Sequence, residues 1–246
     1  TKTKLQIPLQ VGGPAFILMA ACTYDKNNII FSSSQGLFFY SLSTGIVTRA
    51  YVSIKQQISS TIVGIQRVNN TWLFATSGQG LVQVNQDGEL IMSSEDVFKK
   101  NSLLNNNLTC LPIDKSGIGW AGSERGLSSF NPNDRGFFSF GPSVNTNYGL
   151  PSQNVWCINE NKSGDRLYLG TDIGLSIVTL KTGAFQHVYK QNQFLNDGSG
   201  SILCIAVLPN ESLLLGCYDG LFRINPTNKN AKIQKINLKG NPKNNL

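Results

Sequence analysis

Charge is scarce in this chain: 14% of its 246 residues are Asp, Glu, Lys or Arg, and the one histidine is His187. With a single histidine in a strand-like run, and with neither a GxSxG elbow nor a phosphate-cradling Gly-rich loop, nucleophilic hydrolysis and nucleotide chemistry have no visible machinery. No CxxC or HxxxH spacing exists to hold a metal, and no cofactor is expected. The five cysteines are an odd set with no evident pairing, so a disulfide framework is not expected either. The apolar run 15–22 is too short to cross a bilayer, which takes about 18 or more residues. The sequence begins without a secretion-signal pattern, from which no compartment follows. The formal net charge is +7, but the basic residues are scattered, with clusters at Lys2 and Lys4 and at Lys229, Lys232, Lys235, Lys239 and Lys243. No aromatics are interleaved with them, so a nucleic-acid partner is not expected.

What the chain has instead is a period. A Gly-Leu pair closes a short polar turn at Gly36, Gly80, Gly126, Gly174 and Gly220, with separations of 44, 46, 48 and 46 residues. Short apolar runs ended by Gly or Asn at that spacing fit four-stranded propeller blades. The expected fold is all-β, a β-propeller of four-stranded antiparallel blades, read as one region over 1–246 with repeats at about 16–58, 59–104, 105–149, 150–198 and 199–240.

The fourth repeat divides by its own punctuation. Strands are expected at Asn154–Glu160, Asp165–Gly170, Leu175–Leu180 and Ala184–Lys190, separated by NKSG, TDIG and KTG turns whose Gly, Asn and Asp tolerate positive φ. The third repeat keeps a DKSG turn at 114–117, whereas the first and second read DKNN at 25–28 and RVNN at 67–70, where Asn takes over the left-handed position. The last repeat owns a fourth strand-like segment at 232–238, and an extra one at 5–10 precedes the first repeat, fitting either the outer strand of an earlier blade or, should 232–238 lie outside the sheet, the closing strand of the fifth. Because terminal repeats expose apolar faces that need a neighbour, the favoured expectation is a part of a larger array, with a closed five-bladed ring as the alternative. Cys110, Cys157 and Cys204 recur at one position of the innermost strand, where a small apolar side chain is expected near the axis.

The segments LPSQNVWCI (150–158), YLGTDIGL (168–175), WAGSERGL (120–127) and FATSGQGL (74–81) resemble the two-component-regulator propeller repeat, LPSNxVxxI followed by DxxGxLWIGTxxGLxxFxPxTGxF. The Trp of LWIG is read here at Leu73, Gly119, Tyr168 and Leu214. The resemblance covers about residues 16–228. It implies the periplasmic sensor region of a hybrid histidine kinase of the kind found in Bacteroidetes, responding to oligosaccharides. It also implies further propeller blades and downstream signalling domains on the same polypeptide, and a homodimer in the whole protein. Kinase activity would lie outside this chain, which is read as non-catalytic.

Propeller ligands gather where the turns between second and third strands and the links between blades meet. Sugars are held by planar hydrogen-bonding groups and an aromatic platform, which selects Arg125, Asp172, Asp219 and Tyr218 from the turns and Tyr148 and Trp156 from the links. Paired carboxylates among Glu124, Asp172 and Asp219 would be needed for glycan cleavage, but ordinary turn chemistry is the favoured reading of all three. Three functions therefore compete: a ligand sensor, a protein-docking scaffold anchored by rim Trp and Tyr, and, behind both, a glycan-active enzyme.

Overall fold

The computed structural model describes residues 16–50, 58–99, 101–133, 136–143, 149–187, 200–226 and 233–236. Among them there is no helix, and twenty strands form five antiparallel sheets of four. Blade 1 comprises β1 (Leu18–Thr23), β2 (Asn28–Ser33), β3 (Gly36–Ser41) and β4 (Val47–Arg49). Blade 2 comprises β5 (Ile62–Val68), β6 (Thr71–Thr76), β7 (Gly80–Val84) and β8 (Leu90–Ser93). Blade 3 comprises β9 (Leu108–Cys110), β10 (Gly119–Ser123), β11 (Gly126–Phe130) and β12 (Phe137–Phe140). Blade 4 comprises β13 (Val155–Glu160), β14 (Arg166–Thr171), β15 (Gly174–Thr179) and β16 (Ala184–His187). Blade 5 comprises β17 (Ile202–Val207), β18 (Leu213–Cys217), β19 (Gly220–Ile224) and β20 (Gln234–Ile236). Every sheet runs in chain order, so each blade is a meander, and the fold is of the β-propeller class. The chain divides into two compact units, residues 1–113 with 117–139 and residues 114–116 with 140–246.

Burial explains why the central strands do not alternate as a one-sided sheet would. In the first unit, β6 and β7 are buried almost throughout because blade 2 has blades 1 and 3 against its two faces. Successive residues serve opposite neighbours: Phe74 joins Ile30, Ile62 and Val82 in the core shared with blade 1, while Leu73 joins Leu108, Ala121 and Phe137 in the core shared with blade 3. Each such side chain contributes on the order of 1.5–3 kcal/mol by leaving water. In the second unit, Tyr168, Leu175 and Ile177 of blade 4 pack on Ile202, Leu213, Leu215 and Phe222 of blade 5.

The innermost strand of every blade carries a one-residue bulge at the same place. Ladder register shifts between Leu18 and Ala20, Ile62 and Gly64, Leu108 and Cys110, Val155 and Cys157, and Ile202 and Cys204. The extra residues are Met19, Val63, Thr109, Trp156 and Leu203. Next to each bulge a small cross-strand pair crosses the sheet: Ala20 with Ser32, Gly64 with Ala75, Cys110 with Gly122, Cys157 with Gly170, and Cys204 with Gly216. The repeated cysteine thus sits opposite a glycine, and all five cysteines carry free thiols.

One sequence expectation shifts. Counted back from the end of the second strand, the position of the LWIG tryptophan is Leu73, Tyr168, Leu214 and, in blade 3, Trp120 rather than Gly119. Gly119 occupies the preceding position because the Phe130 ring fills the space where a β-carbon would be. The segment 5–10 lies outside the described residues, and 232–238, expected as the fourth strand of the last repeat, supplies β20, the fourth strand of blade 5.

Candidate functional site

The turns joining second to third strands are built around a hydroxyl that ends the second strand. The Thr171 hydroxyl donates to the Gly174 carbonyl at 2.8 Å and accepts the Ile173 N–H at 3.3 Å. Ser33, Thr76 and Ser123 repeat the arrangement, donating to Gly36, Gly80 and Gly126 and accepting from Gln35, Gln79 and Arg125. Blade 5 has Cys217 at this position. The glycines that follow take the left-handed φ that closes the hairpin, from 74° at Gly80 to 135° at Gly126.

The residue after the hydroxyl ties the turn to the link entering its own blade. In blade 1 the Ser34 hydroxyl accepts the Ile17 N–H at 3.1 Å. In blade 3 the Glu124 carboxylate accepts from the Asn107 amide at 3.1 Å. In blade 4 the Asp172 carboxylate accepts from the Ser152 hydroxyl and from the Asn154 amide, and the Asp172 carbonyl accepts from Ser201 at the entry to blade 5. Glu124 and Asp172 are therefore each engaged in fixing a link, the turn role expected of them.

Arg125 lies in the first unit, exposed, with its guanidinium 3.0 Å from the Glu95 carboxylate. Such a surface pair contributes at most about 1 kcal/mol. In the second unit Tyr218 stands where blade 4 has Asp172 and is 72% exposed, with Asp219 beside it half-buried. Trp156 is not in the link but on β13, as the bulge residue. It is half-buried, and its indole N–H is enclosed without a hydrogen-bond partner among the described residues. Tyr148 lies outside the described residues. His187 closes the outermost strand of blade 4, with Nδ1 2.8 Å from the Ser176 hydroxyl.

Sequence reasoning missed the bulge, and with it the reason why Trp156 is aimed differently from its strand neighbours. A bulge sets one residue outside the alternation of the pleat. The signal was present, since NVWCI places an aromatic directly before the repeated cysteine. Among the described residues no group of three or more His, Cys, Asp or Glu gathers as a metal site. Among them, too, no helix is long and apolar enough to cross a membrane.

No protein-family model matches the chain, and comparison with the curated proteins finds no match. Solved structures do match. The extracellular domain assigned to a hybrid two-component system, BT4673 of B. thetaiotaomicron, aligns at TM-score 0.72 and 18% identity, over 89% of this chain and 27% of that one. The extracellular domain of BT3049 from the same organism, assigned likewise, aligns at TM-score 0.68 and 20% identity, over 88% and 29%. The β-propeller domain of Cps50 (Swd1) from Myceliophteria thermophila aligns at TM-score 0.59 and 16% identity, over 89% and 72%. The propeller fold is shared by all three. This chain spans less than a third of the two bacterial domains it matches.

Proposed function

We propose that the chain is a non-catalytic propeller segment of the periplasmic sensor region of a hybrid two-component histidine kinase, responding to oligosaccharides. The alignment with extracellular domains of that system class, at TM-score 0.72 over 89% of the chain, carries the reading. The repeat signature at 150–158 and 168–175 supports it. The engagement of Glu124 and Asp172 with their links argues against a glycosidase pair, which needs two carboxylates free to act on one bond. In this reading further blades and signalling domains lie elsewhere on the polypeptide, an inner-membrane anchor holds it, and two copies pair. Ligand must then bind one of two global states more tightly than the other, because equal affinity shifts nothing.

The orphan indole N–H of Trp156, with exposed Tyr218 in the same unit, supports ligand contact on the face of the second-to-third strand turns. Of the polar candidates, Asp172 and Asp219 lie in turns of that same unit, and Arg125 in a turn of the first unit. Tyr148 stays on the candidate set by sequence position alone.

The test is the native gene product, detected with an antibody to this chain. A product much longer than 246 residues that fractionates with membranes is the expected result. A soluble product of about this length overturns the sensor reading and favours a docking scaffold.

A further inference from the structure

The second unit also has an open cleft of about 460 Å³, formed by the β13–β14 turn, Tyr168 and Glu211. It lies at the opposite end of the strands from Asp172 and Tyr218, because Lys162 precedes β14 and Arg166 opens it, while Asp172 follows it. Its volume is in the range of ligand pockets.

Two features of the cleft have no structural use in the fold. Tyr168 is 1% exposed, with its ring packed among Leu175, Ile177, Leu213 and Leu215, yet its hydroxyl has no hydrogen-bond partner among the described residues and borders the cleft. That hydroxyl is not fully enclosed, so it offers a donor and an acceptor to whatever occupies the cleft. Leu occupies the same position in blades 2 and 5, so the core does not require a hydroxyl there.

Glu211 is the second feature. It holds a left-handed backbone, φ 61°, two residues before its blade's second strand. Blades 2, 3 and 4 fill that position with Asn69, Gly117 and Gly164, at φ 53°, 88° and 76°. A glutamate is an unfavourable choice for this conformation. Its carboxylate, with no hydrogen bond among the described residues, faces the cleft.

The opposite wall is rigid. Asp165 accepts from the Asn161 amide at 2.6 Å and the Ser163 hydroxyl at 2.5 Å, while the Asn161 side-chain oxygen accepts the Asp165 and Arg166 N–H groups. Lys115 donates to the carbonyls of Asn161 and Lys162 and braces the turn. Lys162 and Arg166 balance Asp165 and Glu211, so the lining draws neither an anion nor a cation by net charge. A neutral ligand that both donates and accepts hydrogen bonds fits this set.

We propose that this cleft binds one residue of a neutral saccharide, its hydroxyls meeting the Tyr168 hydroxyl, the Glu211 carboxylate and the Arg166 guanidinium. The assignment rests on the oligosaccharide-sensing reading above but places contact on the other face of the unit.

The test is saturation-transfer NMR and calorimetry on the full 246-residue chain with xylotetraose, mannotetraose, maltotetraose and fructotetraose, and with glycine betaine as a zwitterionic probe. Wild type, Tyr168→Phe and Glu211→Gln are compared. The expected result is binding of a tetrasaccharide that weakens at least tenfold in both variants, with the thermal midpoint of Tyr168→Phe unchanged. Tetrasaccharide binding that both variants retain overturns the cleft and leaves the sensing reading standing. Silence across the four sugars in wild type overturns both. Betaine binding lost in the variants, without sugar binding, overturns the saccharide assignment.

Discussion

The Sγ of Cys157 lies 2.5 Å from the point where a β-carbon on its cross-strand partner Gly170 would be, and the Ile202 carbonyl oxygen of the next blade lies 2.5 Å from the same point. Gly170 is therefore closed in by a side chain and by a neighbouring backbone. Its equivalent Gly216 faces only Cys204, whose sulfur crowds the same place. Gly170→Ala is expected to cost about 2–4 kcal/mol, since overpacking and a displaced strand add. Pairing it with Cys157→Ala should recover little, because the Ile202 backbone remains. Gly216→Ala should be largely rescued by Cys204→Ala. Urea denaturation of the four variants checks the contrast.

Thr171 is fully buried and its hydroxyl satisfies two backbone groups of the hairpin. Thr171→Ala should cost about 1–3 kcal/mol, with most of it kept in Thr171→Ser. Cys217→Thr supplies blade 5 with the missing hydroxyl and should add about 0.5–1 kcal/mol, read from the same denaturation curves.

Relieving the left-handed strain at Glu211 is expected to stabilise the fold. Glu211→Gly should raise stability by about 0.5–1 kcal/mol after the entropy of the added glycine is counted. Asn69→Ala, at the matching turn of blade 2, should lower it by a similar amount. Thermal melts of the two variants give opposite signs if the backbone argument holds.

Hydrogen bonds from Ser163 and Asn161, with Arg166 nearby, hold the Asp165 carboxyl below the usual aspartate range. A depressed carboxyl stabilises the folded turn above its unfolded pKa, and that contribution is lost as pH falls through the lower folded value. Protection factors in residues 161–166, which are exchange rates corrected for the intrinsic pH dependence of amide exchange, should thus hold through neutral and mildly acidic pH and fall only below the ordinary aspartate range. Protection that already falls between neutrality and the ordinary aspartate range contradicts the assignment.

Thiol reactivity should rank by burial. Burial pushes the Cys110 thiol up to about 12, and burial with Cys204 and Asp219 nearby pushes Cys217 up to about 11, leaving both as unreactive thiols at pH 8. Cys204 is exposed and should be alkylated first. Peptide mapping after timed iodoacetamide labelling reads the order.

The Gly-Leu period made the blades legible because every second-to-third strand hairpin has a left-handed glycine followed by a leucine, buried in blades 1 to 4 and half-buried in blade 5, and both leave fixed letters. In four of the blades they are preceded by Ser33, Thr76, Ser123 or Thr171. The strand ends of blade 4 fell within a residue of expectation wherever they are described, since NKSG, TDIG and KTG allow few other turns. The repeated cysteine was likewise visible, but its glycine partner was not, because register across a bulge is not written in either strand alone. The cleft was invisible for a related reason. Tyr168 reads as one more core aromatic, and Glu211 as a polar turn residue, until folding sets them side by side.

The bulge that recurs in all five innermost strands has a practical meaning for how such a chain can change. Met19, Val63, Thr109, Trp156 and Leu203 each stand outside the two-residue rhythm, so any of them can be exchanged without sliding the ladder that holds its blade together. They form a short alphabet of five letters that selection or a mutagenesis library can rewrite while the grammar of the sheets is left alone.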